Sequence, residues 1–130
     1  MYDFAYHAPS TVADAIKALG EDMEAKVLAG GQTFIPVLKQ RLNKPSAIID
    51  LAKVGLTEIT AAPDKITIGA MATHHAIESN EAIKAHIPGL AKMASWIGDT
   101  QVRHRGTMGG SLANNDPSAC YPAAVLAIGA

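Results

Sequence analysis

Apolar and polar positions alternate along the chain in short segments of two kinds. "PSTVADAIKALG" carries Val12, Ile16 and Leu19 at helical spacing behind Ser10 and Thr11, and Thr11 with Asp14 has capping-box spacing, so a helix is predicted that Gly20 stops. "KVLAG", Lys26 to Gly30, is a short apolar run ending in glycine and reads as a buried strand. Phe34, Val37, Leu38 and Leu42 then mark an amphipathic helix that ends before Pro45. Pro36 falls in its first turn, where a missing N–H has no helical partner to lose. "SAIIDL" and "KITIGA" read as further strands, and Leu90, Met93, Ala94 and Ile97 as a helix opened near Pro88 and closed by Gly98. This order of helices and strands predicts a mixed α/β or α+β domain.

With 130 residues, 48% of them hydrophobic and 18% charged, the chain suits one compact domain. Eleven basic and twelve acidic residues give a formal charge of -1, without the basic footprint that nucleic acid or an anionic membrane requires. A lone cysteine, Cys120, makes no internal disulfide and no cysteine cluster for zinc or iron–sulfur, which fits a reducing cytoplasm. The N-terminus lacks the pattern of a signal peptide, and no run approaches the roughly 18 apolar residues that span a bilayer. The chain stops inside the apolar, helix-like "YPAAVLAIGA", so it is expected to be a piece of something longer.

"AGGQTFIP", Ala29 to Pro36, sets two adjacent glycines between strand and helix. Such a turn exposes the first N–H groups of the helix at the positive end of its dipole, where phosphate approaches without meeting a Cβ. A tight strand-to-helix turn accounts for one such pair without any ligand. "RHRGTMGGSLANNDPSACYP" then repeats the feature, with Gly109 and Gly110 beside Thr107 and Ser111, and two such loops suit the two phosphates of a diphosphate. Neither GxxxxGK[ST] nor GxGxxG after a strand occurs.

Other residues read less specifically. The five histidines show no HxxxH or HExxH spacing, and His74 and His75 project about 100° apart on a helix, so they are assigned to surface or core. Arg103 and Arg105 flank the second loop and suit phosphate, a partner subunit or plain solvation. Asp116 before Pro117 is of the helix-capping type, Cys120 reads as a small buried hydrophobe and Trp96 as core. No Ser/His/Asp or Cys/His set stands at catalytic spacing.

Taken together, "VLAGGQTFIPVLKQRLNKPSAIIDL", "ITIGAMATHHAI" and "IGDTQVRHRGTMGGSLANNDPSACYPAAVLAIGA" resemble the FAD-binding medium subunit of molybdenum hydroxylases. That group includes the carbon monoxide dehydrogenase medium subunit and the flavin domain of xanthine dehydrogenase. The resemblance runs from about Tyr2 to the last residue. It implies an α+β fold of the vanillyl-alcohol-oxidase (PCMH) type, incomplete at its end, with a small N-terminal α/β lobe over 1–58 and the first part of a second α+β lobe over 59–130.

In this resemblance FAD lies between the lobes. Leu28, Ala29, Gly30, Gly31, Gln32, Thr33 and Phe34 line one side of its pyrophosphate, and Thr107, Met108, Gly109, Gly110 and Ser111 the other. Ile97 corresponds to an apolar flavin contact, and Asn114 to Asp116 continue along the cofactor. Cys120 stands where the family often has an acidic FAD contact; a thiol is a poor acceptor for a ribose hydroxyl, so the contact is lost or passes to Asp116. The implied function is electron transfer through FAD, from iron–sulfur clusters to an external acceptor, with no catalytic side chain and no metal on this chain. Partners would be a large molybdopterin-binding subunit and a small 2Fe–2S subunit, in the cytoplasm. The alternative, from another class, is a flavin-free scaffold fragment of such a subunit.

Overall fold

Three short strands organise residues Met1–Gly55: β1 (Ala5–His7), β2 (Lys26–Leu28) and β3 (Ala47–Asp50), all parallel, in the order β1-β3-β2. These residues are the first of two units in the computed structural model, which describes residues 1–130; the second is Leu56–Ala130. Parallel neighbours require crossovers, supplied here by α1 (Val12–Glu21) and α2 (Phe34–Lys39). Central β3 has Ala47, Ile48 and Ile49 all buried, the unbroken apolar run of a strand covered on both faces. The strand expected at Lys26–Gly30 is shorter and is not buried. As β2 it lies at an edge of the sheet, with Lys26 and Val27 exposed.

Thr11 caps α1, its Oγ1 accepting the Asp14 N–H at 3.1 Å. Gly20 does not stop the helix, which runs through it to Glu21; Asp22 ends it, its carboxylate accepting from the Glu24 N–H and the Ser46 hydroxyl. The apolar stripe of α1 is also turned outward. Ala15 is buried, while Val12, Ile16 and Leu19 are exposed.

α2 ends earlier than its apolar spacing predicts. Arg41 adopts φ 59°, Arg41 N–H bonds to Leu38 O and Leu42 N–H to Val37 O, a Schellman closure that leaves Leu42 exposed.

The second unit opens with the antiparallel hairpin β4 (Ile59–Ala61) and β5 (Ile66–Ile68), closed by Ala62 N–H to Lys65 O at 2.8 Å. Six helices follow: α3 (His74–Ser79), α4 (Glu81–His86), α5 (Pro88–Ser95), α6 (Thr100–Arg105), α7 (Met108–Asn114) and α8 (Cys120–Ile128). Thr73, Asn80, Asp99 and Thr107 cap α3, α4, α6 and α7 with side-chain oxygens. The core gathers Ala72, Ile77, Ile83, Leu90, Ala94 and Tyr121, with Ile59, Ile66 and Ile68 packed against it.

Pro88 opens α5 as expected, but Trp96 is not core. It follows the helix as its C-cap and is 73% exposed, with the Lys92 ammonium 5.3 Å from its ring centre. No helix is long and apolar enough to cross a membrane.

Candidate functional site

The first glycine motif follows β2. Leu28 ends the strand, Ala29 and Gly30 bend, Gly31 takes φ 77°, and Gln32 and Thr33 lead into Phe34, the first residue of α2. Only glycine enters that backbone region without strain, and a Cβ on Gly31 would stand 2.6 Å from Ile35 Cδ1. The Ile35 N–H bonds to Gly31 O, and Pro36 has no N–H. The N–H groups of Gln32, Thr33 and Phe34 find no partner in the chain, and Thr33 makes no side-chain cap. Gln32 and Thr33 are exposed. Three donors at a helix start fit an anionic group such as a phosphate.

The second motif is expected as a loop and is instead a helix start. Thr107 is the N-cap of α7, and Met108, Gly109, Gly110 and Ser111 form its first turn. Its N–H groups are committed inside the unit: Met108 to Ala72 O, Gly109 to Ala70 O, Gly110 to Thr107 Oγ1 and Ser111 to Thr107 O. A Cβ on Gly109 would lie 2.6 Å from the carbonyl oxygen of Ala70, so this glycine serves the close seating of α7 on that segment. The free donor of this motif is the Ser111 hydroxyl, half-buried.

Ile97 follows α5, half-buried against the core, and Asn114 ends α7, exposed. Asp116 does not cap a helix. Its Oδ1 accepts the Ser118 N–H at 2.8 Å in a turn, and Ala119 is the N-cap of α8. Cys120 is exposed on the first turn of α8, contrary to the buried position expected of it. Leu28 to Phe34 thus belong to the first unit, and all the other candidates to the second.

Two polar clusters in the second unit join distant segments, and only the i,i+3 step from His75 to Glu78 within one of them has a spacing signal in the sequence. His74, 5% exposed, shares a 3.2 Å hydrogen bond between its Nδ1 and the hydroxyl of fully buried Tyr121. Burial, aided by the charges of Cys120 and Glu78, pushes the Tyr121 phenol well above its ordinary range. Burial also lowers the pKa of His74, against the opposing pull of Glu78. Nearby, the carboxylate of Glu78 accepts the His75 Nδ1–H at 2.7 Å and lies 3.0 Å from Arg103 Nε. The His75 hydrogen bond first, then the Arg103 charge, hold the Glu78 carboxyl below its usual range against the effect of burial.

The direction at His74 gives a pH prediction. Between its lowered folded value and the ordinary imidazole value of about 6.5, the unfolded chain binds a proton that the folded chain refuses, so stability falls as pH drops below about 6.5. The unfolding midpoint is expected to decline over this window, and less steeply in His74→Gln. Equal slopes in the two proteins would contradict the assignment.

The chain matches the model of the FAD binding domain in molybdopterin dehydrogenase over residues 2–130. It is 40% identical over 124 residues to the nicotine 6-hydroxylase medium subunit of Paenarthrobacter nicotinovorans, covering 95% of this chain and 44% of that one. It is also 40% identical over 131 residues to the carbon monoxide dehydrogenase medium chain of Afipia carboxidovorans, covering 98% and 45%. Among solved structures, the carbon monoxide dehydrogenase of Hydrogenophaga pseudoflava that lacks the Mo-pyranopterin moiety superposes with a TM-score of 0.95 at 38% identity, covering 97% of this chain and 45% of that chain. The chain therefore spans less than half the length of these relatives. The α+β fold implied by the resemblance is the one observed, and the chain belongs to the family of FAD-binding domains of molybdopterin dehydrogenases.

Proposed function

We propose that the chain holds FAD within the electron-transfer subunit of a molybdenum hydroxylase, between iron–sulfur clusters and an external acceptor. The observation that carries this reading is the row of unpartnered N–H groups at Gln32, Thr33 and Phe34, in a chain of FAD-binding family. FAD, when bound, supplies the redox chemistry. The chain's own residues bind and orient it. The three N–H groups take pyrophosphate oxygens, while Leu28, Ala29, Gly30 and Gly31 shape the turn that aims them. In the second motif the Ser111 hydroxyl is the donor, and Thr107, Met108, Gly109 and Gly110 hold it in place through their bonds to Ala70, Ala72 and each other.

Ile97 offers the flavin an apolar contact, and Asn114 and Asp116 continue along the cofactor. The exposed Cys120 thiol is a poor acceptor, whereas Asp116 has a second carboxylate oxygen beside the one bound to Ser118. No side chain needs to act as acid or base. The partners are a large molybdopterin-binding subunit and a small 2Fe–2S subunit, and the setting is cytoplasmic.

The test is uptake of FAD by the purified chain. Visible flavin absorption is expected to co-elute with the protein and to be released on denaturation. Ser111→Ala is expected to weaken binding up to about tenfold, the worth of one hydrogen bond, with the unfolding midpoint unchanged. A chain that stays colourless with added FAD would overturn the reading and leave the flavin-free scaffold in its place.

A further inference from the structure

The sequence leaves phosphate, a partner subunit and solvent open to Arg103, and in the fold its side chain turns back onto its own unit. It is 17% exposed, with Nε 3.0 Å from Glu78 Oε2 in an ion pair whose geometry is not that of a hydrogen bond. Nη1 donates to the carbonyls of Ile97 at 3.3 Å and Gly98 at 3.5 Å, and Nη2 donates to Thr100 Oγ1 at 3.4 Å. Glu78 is fixed in turn by His75 on its own helix, α3. The carbonyls that Arg103 grips belong to the turn from α5 to α6, where Gly98 takes φ 49°. A guanidinium spreads five donors over a rigid fork that faces a carboxylate on one side and two carbonyls on the other; an ammonium gathers its three donors at a single point. Replacing a largely buried ion pair by apolar packing is often neutral in stability, so stability alone does not account for this one.

We propose that Arg103 is a positioning residue: paired with Glu78, it fixes the Ile97–Gly98 turn against α3 and thereby sets where Ile97 stands toward the flavin. This rests on the FAD reading above. Arg103 itself touches neither the cofactor nor a partner subunit.

The experiment uses the 130-residue chain and its Arg103→Gln, Arg103→Lys and Ile97→Ala variants. Hydrogen exchange of the Ile97 N–H, which bonds to Ala94 O at 3.2 Å, is followed without flavin. Visible absorption and fluorescence are followed with added FAD. Arg103→Gln is expected to speed that exchange by about tenfold or more. It is also expected to shift the flavin spectrum in the same sense as Ile97→Ala, with FAD affinity close to that of the parent chain. Arg103→Lys should fall between parent and Arg103→Gln.

The opposite pattern, a loss of affinity of about tenfold with Ile97 exchange unchanged, marks a direct phosphate contact and overturns the proposal. A parent-like flavin spectrum in Arg103→Gln, or in Ile97→Ala, also overturns it while leaving the FAD reading intact. Failure of the parent chain to take up FAD overturns both.

Discussion

Tyr121→Ala is expected to lower the stability of the second unit by about 3–5 kcal/mol, the range for deleting a large buried aromatic ring. Tyr121 is fully buried within the core cluster, stacked on His74 with ring centres 5.3 Å apart, and it joins α8 to α3 through the hydroxyl bond to His74. Tyr121→Phe keeps the ring and removes that bond alone, so about 0.5–1.5 kcal/mol is expected from it. Urea unfolding of the three proteins separates packing from hydrogen bonding. A loss below about 1 kcal/mol for Tyr121→Ala would place α8 outside the cooperative core, since buried-ring deletions do not stay that small.

The second large effect is expected at Gly109. In Gly109→Val the new Cβ meets the Ala70 carbonyl oxygen at 2.6 Å and its Cα at 2.9 Å, atoms of the backbone that no rotamer change can remove. Overpacking of this kind costs about 1–3 kcal/mol, and loss of the Gly109 N–H to Ala70 O bond adds about 1 kcal/mol. Gly89→Ala provides the contrast. Gly89 sits in α5 with nothing within 4 Å of a Cβ, and the substitution should stabilise by about 0.4–1 kcal/mol through the unfolded chain. Thermal unfolding of both variants decides; similar midpoints would mean that α7 is not seated on Ala70 as described.

The strand, glycine turn and helix over Lys26–Lys39 were legible because each signal is local: an apolar run, a glycine pair and a proline in a first turn. The same holds for the Thr11 cap and for Pro88 opening α5. The caps at Thr73, Asn80, Asp99 and Thr107 are equally local, yet the helices behind them are only six or seven residues long, too short for an apolar stripe to repeat convincingly. β1 and β4 are no shorter than β2 and β5, but AYH and ITA carry neither the apolar run of KVL nor the alternating isoleucines of ITI.

What stayed hidden depends on tertiary placement. The stripe of α1 was visible, but not that Ala15 would face inward and Ile16 outward. Glu78 and Arg103 carry no mutual spacing signal, and the exposure of Trp96 and Cys120 follows from where their helices end and begin. For the candidate site, the glycine pairs were visible while the fate of their N–H groups was not, because Ala70 and Ala72 approach from a distant segment.

The three-residue length of β1 and β2 bears on how the first unit behaves in concentrated solution. Both are outer strands, and an outer strand normally invites a foreign chain to continue the ladder. Here each offers so short a row of open backbone groups that an incoming strand gains little, and Lys26 sets a charge at the start of one row. Self-association is accordingly expected to run through the outward apolar stripe of α1, and polar replacement of Ile16 is a more direct route to a well-dispersed protein than guarding the sheet.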